Sequence, residues 1–389
     1  MQYQKAGSSF FDELFGVLSA FERLRHEPYD ASDGVITIGV GFNLTGGVPQ
    51  LREGVYREFG LKTEARSEAT LVALREKEYL RRLDEAIAKG PSSIQDLHKV
   101  MKDRAQQAAT DSAFAAYIGT SSPRERFEFS PGQTGRDEMK AVMQFGIAKY
   151  VDRVYKELGY TALTAPAGFN DSWEKAVLVS LAFNGMGAWP KGLTSAIKSG
   201  DRAEAWFQIR YVSNYLGSKN SRGIPLSTVR PRPNSKSEQE LFNDGVDKGW
   251  AKRRYAEAGI FGLYDNPASV TMTEAKQVYR MLQLHRADID AYERGYEAQI
   301  GAANTDFHLG GTSNAVQSLI NSLDPAKTAL ITDLRNTHPA LASLDPENFT
   351  STNIYLDPGR DNTKQPVSAD QYVMSPVHTL FGACGVKLR

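Results

Sequence analysis

Apolar positions near the start of the chain recur at helical spacing. Phe11, Phe15 and Leu18 follow one another at steps of four and three, and Glu22 takes the next place on the same stripe. The pattern predicts a helix over 8–25. Ser8 or Ser9 can cap it, and Asp12 and Glu13 suit its first turn. A short polar loop, HEPYDASDG, follows, and then the period changes to two. In VITIGVGF, Ile36, Ile38 and Val40 point one way while Thr37, Gly39 and Gly41 point the other, as in a strand or tight hairpin.

From 63 to 119 the pattern is polar, Ala-rich and charged. EARSEATLVALREKEYLRRLDEAIAKG reads as one helix and IQDLHKVMKDRAQQAATDSAFAAYIG as a second, ending at Gly119. The loop TSSPRERFEFSPGQTG leads to a helix over DEMKAVMQFGIAKYVDRVYKEL. After the turn-rich TAPAGFNDS, an apolar helix, SWEKAVLVSLAFNGMG, lines up Trp173, Val177, Leu181 and Asn184. Helical stretches follow around AEAWFQIRYVSNY and GWAKRRYAEAGIFG. YDNPASVTM, with Pro267, marks a boundary, beyond which 270–300 forms a polar helix and the last part is turn-rich. The expected fold class is mainly α (α+β), with one small β element.

Composition narrows the function classes. At roughly 150 residues per domain, 389 residues suggest two or three domains. Apolar residues at 41% and charged residues at 24% are those of an ordinary globular protein, which excludes wholesale disorder and coiled-coil rods. Forty-six basic and 46 acidic residues give zero net charge, so the chain is no general polyanion binder and no nucleic-acid partner is expected. Cys384 is the sole cysteine and the six histidines are scattered, which leaves no internal disulfide and no basis for a structural zinc site. The amino terminus lacks the plan of a secretory signal, and no apolar run approaches a membrane span. The expectation is a protein made in the cytoplasm without stable membrane insertion.

Glu22 carries the most chemical information. On a helical step it lies roughly 20–40° from Phe11, Phe15 and Leu18, inside the apolar stripe. A carboxyl group set in an apolar face loses solvation and holds its proton more readily, as a general acid for glycoside cleavage must. The plainer reading is a helix-end glutamate paired with Arg23, Arg25 or His26. In the strand, Thr37 offers a hydroxyl able to hold a water, and Gly39 and Gly41 offer bare backbone where a ligand can approach. The plainer reading there is a Gly-rich hairpin.

The run FERLRHEPYDASDGVITIGVGFNLTGG resembles the start of the phage-type lysozymes, the endolysins of glycoside hydrolase family 24. The spacing from Glu22 through Tyr29, Gly34 and Thr37 to Gly41 matches their pattern without a gap. VLVSLAFNGMG looks like the family's central buried helix, GWAKRRYAEAGIFG like a later segment, and Ser130 to Glu157 like the helix that links the lobes. Pesticin-like bacteriocin toxins carry a comparable lobe. The resemblance implies a lysozyme-like two-lobed fold, with a small β-hairpin lobe and a helical lobe. Its parts would be an amino-terminal catalytic lobe over 1–60, a helical insertion over 61–129, the helical lobe over 130–265 and a carboxy-terminal accessory region over 266–389.

One departure matters. The family's catalytic Asp falls two residues after the Tyr, which here is Ala31, with Asp30 and Asp33 on either side. Three mechanisms stay open: Asp30 as base with Thr37 holding the attacking water, Asp33 in that role, or Glu22 acting alone as in transglycosylase-type endolysins. Asp33 also suits an Asp-Gly turn. Asn184 either faces substrate, where an N-acetyl group could satisfy its amide, or caps its helix. Arg253 and Arg254 suit bracing through Glu257, and Trp189 suits either a sugar face or the core. DPGRDN at 357–362 is too far from a calcium loop to carry weight.

What the resemblance implies is a muramidase that cuts peptidoglycan between N-acetylmuramic acid and N-acetylglucosamine. Glu22, Asp30 and Thr37 would be catalytic, Asn184, Gly39 and Gly41 substrate-binding, and no cofactor or metal needed. The alternatives are a lytic transglycosylase and a non-catalytic wall-binding module. Either a phage endolysin or a delivered antibacterial effector fits, acting on the wall in the periplasm after release. An effector would bring a delivery component and an immunity protein as partners.

Overall fold

A computed structural model describes residues 1–213, 248–296 and 315–337, apart from 8, 23, 32–33, 47 and 185–188. The described chain is mainly helical with one small, open, three-stranded antiparallel sheet. It divides into two compact units: Ser8–Arg153, and Met1–Gly7 with Val154–Arg389. That division falls inside a helix, Ala148–Leu158.

The first unit opens with helix α1 (Phe10–Glu22), shorter at both ends than the apolar pattern suggests. Ser9 is the cap, since its hydroxyl and carbonyl both accept from Asp12 N–H. Leu14, Phe15, Val17 and Leu18 are buried, so the stripe from Phe15 to Leu18 is indeed the inner face. Strands β1 (Arg25–Asp30), β2 (Ile36–Gly39) and β3 (Phe42–Asn43) follow. VITIGVGF is therefore a hairpin. Gly39 and Gly41 take φ of +68° and +77°, a left-handed backbone that only glycine adopts cheaply, and so the chain reverses there. Thr37 pairs with Asn43 and Ile38 with Phe42 across the reversal.

Helix α2 (Pro49–Glu58) carries proline in its first turn, where the missing N–H costs nothing. The polar, Ala-rich segment forms α3 (Leu71–Lys89), α4 (Ile94–Thr110) and α5 (Ser112–Ile118). The second of the two expected helices is broken at Asp111, whose carboxylate accepts from Ala113 and Phe114 N–H and starts a new helix. Within this segment Arg104 and Glu76 are fully buried and paired at 2.8 Å. Helices α6 (Gly132–Gly146) and α7 (Ala148–Leu158) share what reads as one helix in the sequence. Phe127 and Phe129 arrive from the preceding loop and pack edge-on against Phe59, while Phe129 also meets Phe42 of the hairpin.

In the second unit, α8 (Trp173–Phe183) is capped by Ser172 and buried on nearly all sides. It is followed by α9 (Lys191–Ser199) and α10 (Arg202–Phe207), the latter passing into a π-helical turn, Gln208–Val212. Helices α11 (Lys248–Phe261), α12 (Met272–Tyr296) and α13 (Ala315–Thr337) complete the described part. The segment beyond 265 is joined to this unit by charge and stacking. Glu293 of α12 takes Arg210, and His285 stacks on Phe207 while meeting Glu204.

Candidate functional site

Glu22 ends α1 half-buried, and the hairpin is folded against it. A Cβ placed on Gly41 would stand 2.9 Å from Glu22 Oε2 and 3.0 Å from its carboxyl carbon. Only a residue without a side chain lets that carboxyl lie so close to the backbone. Gly41 also needs its left-handed φ, so two independent demands select glycine there.

Tyr29 belongs to the same cluster. Its phenol is pushed above its ordinary pKa, first by burial and then by the negative charge of Glu22, with Arg25 acting the other way. The Arg25 guanidinium lies 4.5 Å from the centre of the Tyr29 ring. Tyr29 pairs with Thr37 across β1 and β2, so these two side chains share one face of the sheet. Thr37 is buried. Tyr29 enters the sequence pattern only as a spacing mark. β1 carries an irregularity between Arg25 and Tyr29, which alternation alone does not foresee.

Asp30 pairs with Ile36, one step along from the Tyr29–Thr37 pair. Successive strand residues alternate faces, which sets Asp30 on the face opposite to Tyr29 and gives Ala31 the parity of Tyr29. Asp33 lies outside the described residues. At Gly39 the space for a Cβ is taken by the rings of Phe42 at 2.8 Å and Phe129 at 3.1 Å, so its bare α-carbon serves close packing of the aromatic core.

Asn184 lies in the other compact unit. Its side-chain oxygen accepts from Arg254 Nη2 at 2.8 Å. Arg254 also pairs with Glu257, which receives Arg253 at 3.0 Å and the Ser180 hydroxyl at 2.6 Å. Glu257 and Arg254 are fully buried and Arg253 nearly so. The two arginines thus brace α11 against α8, as their spacing suggests. Trp189 donates to Thr194 at 3.1 Å and is half-buried.

Among the described residues no cluster of His, Cys, Asp and Glu is arranged to hold a metal ion, and no helix is long and apolar enough to cross a membrane. No protein-family model matches the chain, and neither a curated protein nor a solved structure matches it.

Proposed function

We propose that the protein is a peptidoglycan hydrolase, a muramidase cleaving the β-1,4 bond between N-acetylmuramic acid and N-acetylglucosamine with Glu22 as general acid. The observation that carries this reading is the close approach of the Glu22 carboxyl to the bare backbone of Gly41. It supports a helix-borne acid held over a glycine hairpin, in line with the gap-free resemblance of 22–41 to phage-type lysozymes. The lysozyme-like two-lobed fold is part of the same proposal.

In this scheme Glu22 delivers its proton to the glycosidic oxygen as the C–O bond breaks, which frees the leaving sugar's hydroxyl. Water adds to the anomeric carbon and surrenders a proton to a base. Asp30 is the proposed base. An inverting reaction asks for about 6.5–9.5 Å between the two carboxyls.

A second reading is favoured by the Asp30–Ile36 pairing, which turns Asp30 to the face away from Tyr29. Glu22 then acts alone and the substrate's own 6-hydroxyl attacks, giving an anhydro-muramic end as in a lytic transglycosylase. Asp30→Asn separates the two. An active base there makes the substitution cost about a hundredfold or more in rate, whereas the single-acid scheme leaves the rate within a few-fold. Ala31→Asp, which puts a carboxylate on the parity of Tyr29, should convert anhydro products to reducing ends.

In its biological setting the protein would act on the cell wall after release, as a phage endolysin or a delivered antibacterial effector. An effector would be matched by an immunity protein. The test is release of soluble saccharide from purified peptidoglycan by the wild type and by Glu22→Gln. Release that survives in the variant would reject Glu22 as the acid. Tight wall binding without release would instead identify a binding module.

A further inference from the structure

A cavity of about 440 Å³ opens between α11, α13 and the turn that follows α10, all within the unit containing residues 154–389. No feature of the peptidoglycan reading uses it. Its size is that of a small-molecule site. The wall is mainly apolar and aromatic, with Trp206 and Tyr264 on it beside Leu319 and Pro325 of α13.

Several polar side chains on that wall, those of Arg210, Tyr264, Ser322 and Gln4, already hold partners within the protein. Arg210 is the one charged residue lining the cavity, and its Nε donates to Glu293 Oε1 at 2.7 Å. The guanidinium also lies 3.7 Å from the centre of the Tyr255 ring. The Tyr264 hydroxyl donates to the Ser322 carbonyl at 2.8 Å, and the Ser322 hydroxyl to the Leu319 carbonyl at 2.6 Å. The Gln4 amide donates to the Asp265 carbonyl at 2.5 Å. A charged guest would give up its hydration here and meet an already neutralised wall, which is costly. An apolar guest loses nothing and gains burial.

Gly259 of α11 lines the cavity, and nothing lies within 4 Å of where its Cβ would stand. A side chain added there projects into open space rather than into packed atoms.

We propose that this cavity is a binding site for an uncharged, predominantly apolar small molecule with a flat ring body, which the aromatic wall would contact by edge and face. The site is independent of any action on peptidoglycan.

The test uses the full chain and two fluorophores of the same ring body: N-phenyl-1-naphthylamine, which is uncharged, and 8-anilinonaphthalene-1-sulfonate, which carries a sulfonate. The uncharged probe should bind saturably at one per chain, at least tenfold more tightly than the sulfonate. Gly259→Trp should abolish that binding without lowering the melting temperature. Gly259→Met, a flexible and partial plug, should weaken it several-fold and so covers the case in which the tryptophan variant fails to fold. Absence of saturable binding, equal affinity for the two probes, or binding indifferent to both substitutions would each overturn the proposal.

Discussion

Two glutamates, one in each compact unit, are built in opposite ways. Glu257 is fully buried and saturated, taking Arg253, Arg254 and the Ser180 hydroxyl on its two oxygens. Glu22 is half-buried at a helix end, set over a glycine and facing a phenol that its charge disturbs. A carboxylate ringed by guanidinium groups is an anchor, since its charge is spent on holding helices together. Glu22 lies instead against the bare backbone of Gly41. The contrast separates a glutamate that holds two helices together from the one to which the proposal gives the acid's role.

The sharpest way to break the comparison is Glu22→Gln. It should lower saccharide release by about a thousandfold, or about 4 kcal/mol of barrier, while leaving the melting temperature unchanged. Glu257→Gln should do the reverse. It strands two buried guanidinium groups and should destabilise its unit by about 3 kcal/mol, read as a loss on the order of 10 °C in thermal melting. If Glu257→Gln melts like the wild type, the anchor reading is wrong.

A matched pair of glycine substitutions refines the Glu22 side. Gly41→Ala and Gly34→Ala both force a side chain onto a left-handed backbone, with φ of +77° in each, and each should cost about 1–2 kcal/mol in stability. Only at Gly41 does the new Cβ strike the Glu22 carboxyl, since nothing lies within 4 Å at Gly34. Activity should therefore fall at least tenfold for Gly41→Ala and stay within twofold for Gly34→Ala. Equal effects on activity would mean that the Glu22–Gly41 contact does not matter.

The smallest effect is a titration. Glu22's charge disfavours the tyrosinate of Tyr29, so Glu22→Gln should move the Tyr29 pKa downward, part of the way back towards 10, with burial holding the remainder. Because the folded-state value lies above the unfolded one, the intact protein should lose stability as pH rises past about 10, and the variant slightly less. Carbon-13 labelling of tyrosine and NMR titration would resolve the shift.

The sequence pattern reaches the main elements but not their joints. The apolar stripe of α1 and the Gly-rich hairpin follow from periods of about four and two, and Glu22 stands out because a carboxylate breaks the stripe. Helix ends set by side chains were less visible. Asp111 splits one expected helix by capping the next, a capping signal masked by the Ala-rich run around it. Helix α2 hides behind Gly and Pro, although proline in a first turn is a start signal. Helix α13 is obscured by Pro325 in its interior. Phe127 and Phe129 look like loop residues, yet both are buried, and the alternation Phe-Glu-Phe is the signal that marks them.

At the site, the parts close in sequence were legible and the parts joined by folding were not. Strand register decides that Tyr29 accompanies Thr37 while Asp30 accompanies Ile36, and no spacing rule sets a register across an irregular strand. The engagement of Asn184 by Arg254 links positions 70 residues apart and depends on how α8 meets α11.

The most direct measurement is mass spectrometry of the muropeptides released from purified peptidoglycan by the wild type and Glu22→Gln side by side. The proposed muramidase predicts reducing-end muramic acid products that disappear in the variant. Anhydro-muramic products that disappear would keep Glu22 as the acid and replace hydrolysis by transglycosylation. Products persisting at wild-type yield in the variant would contradict the central role of Glu22.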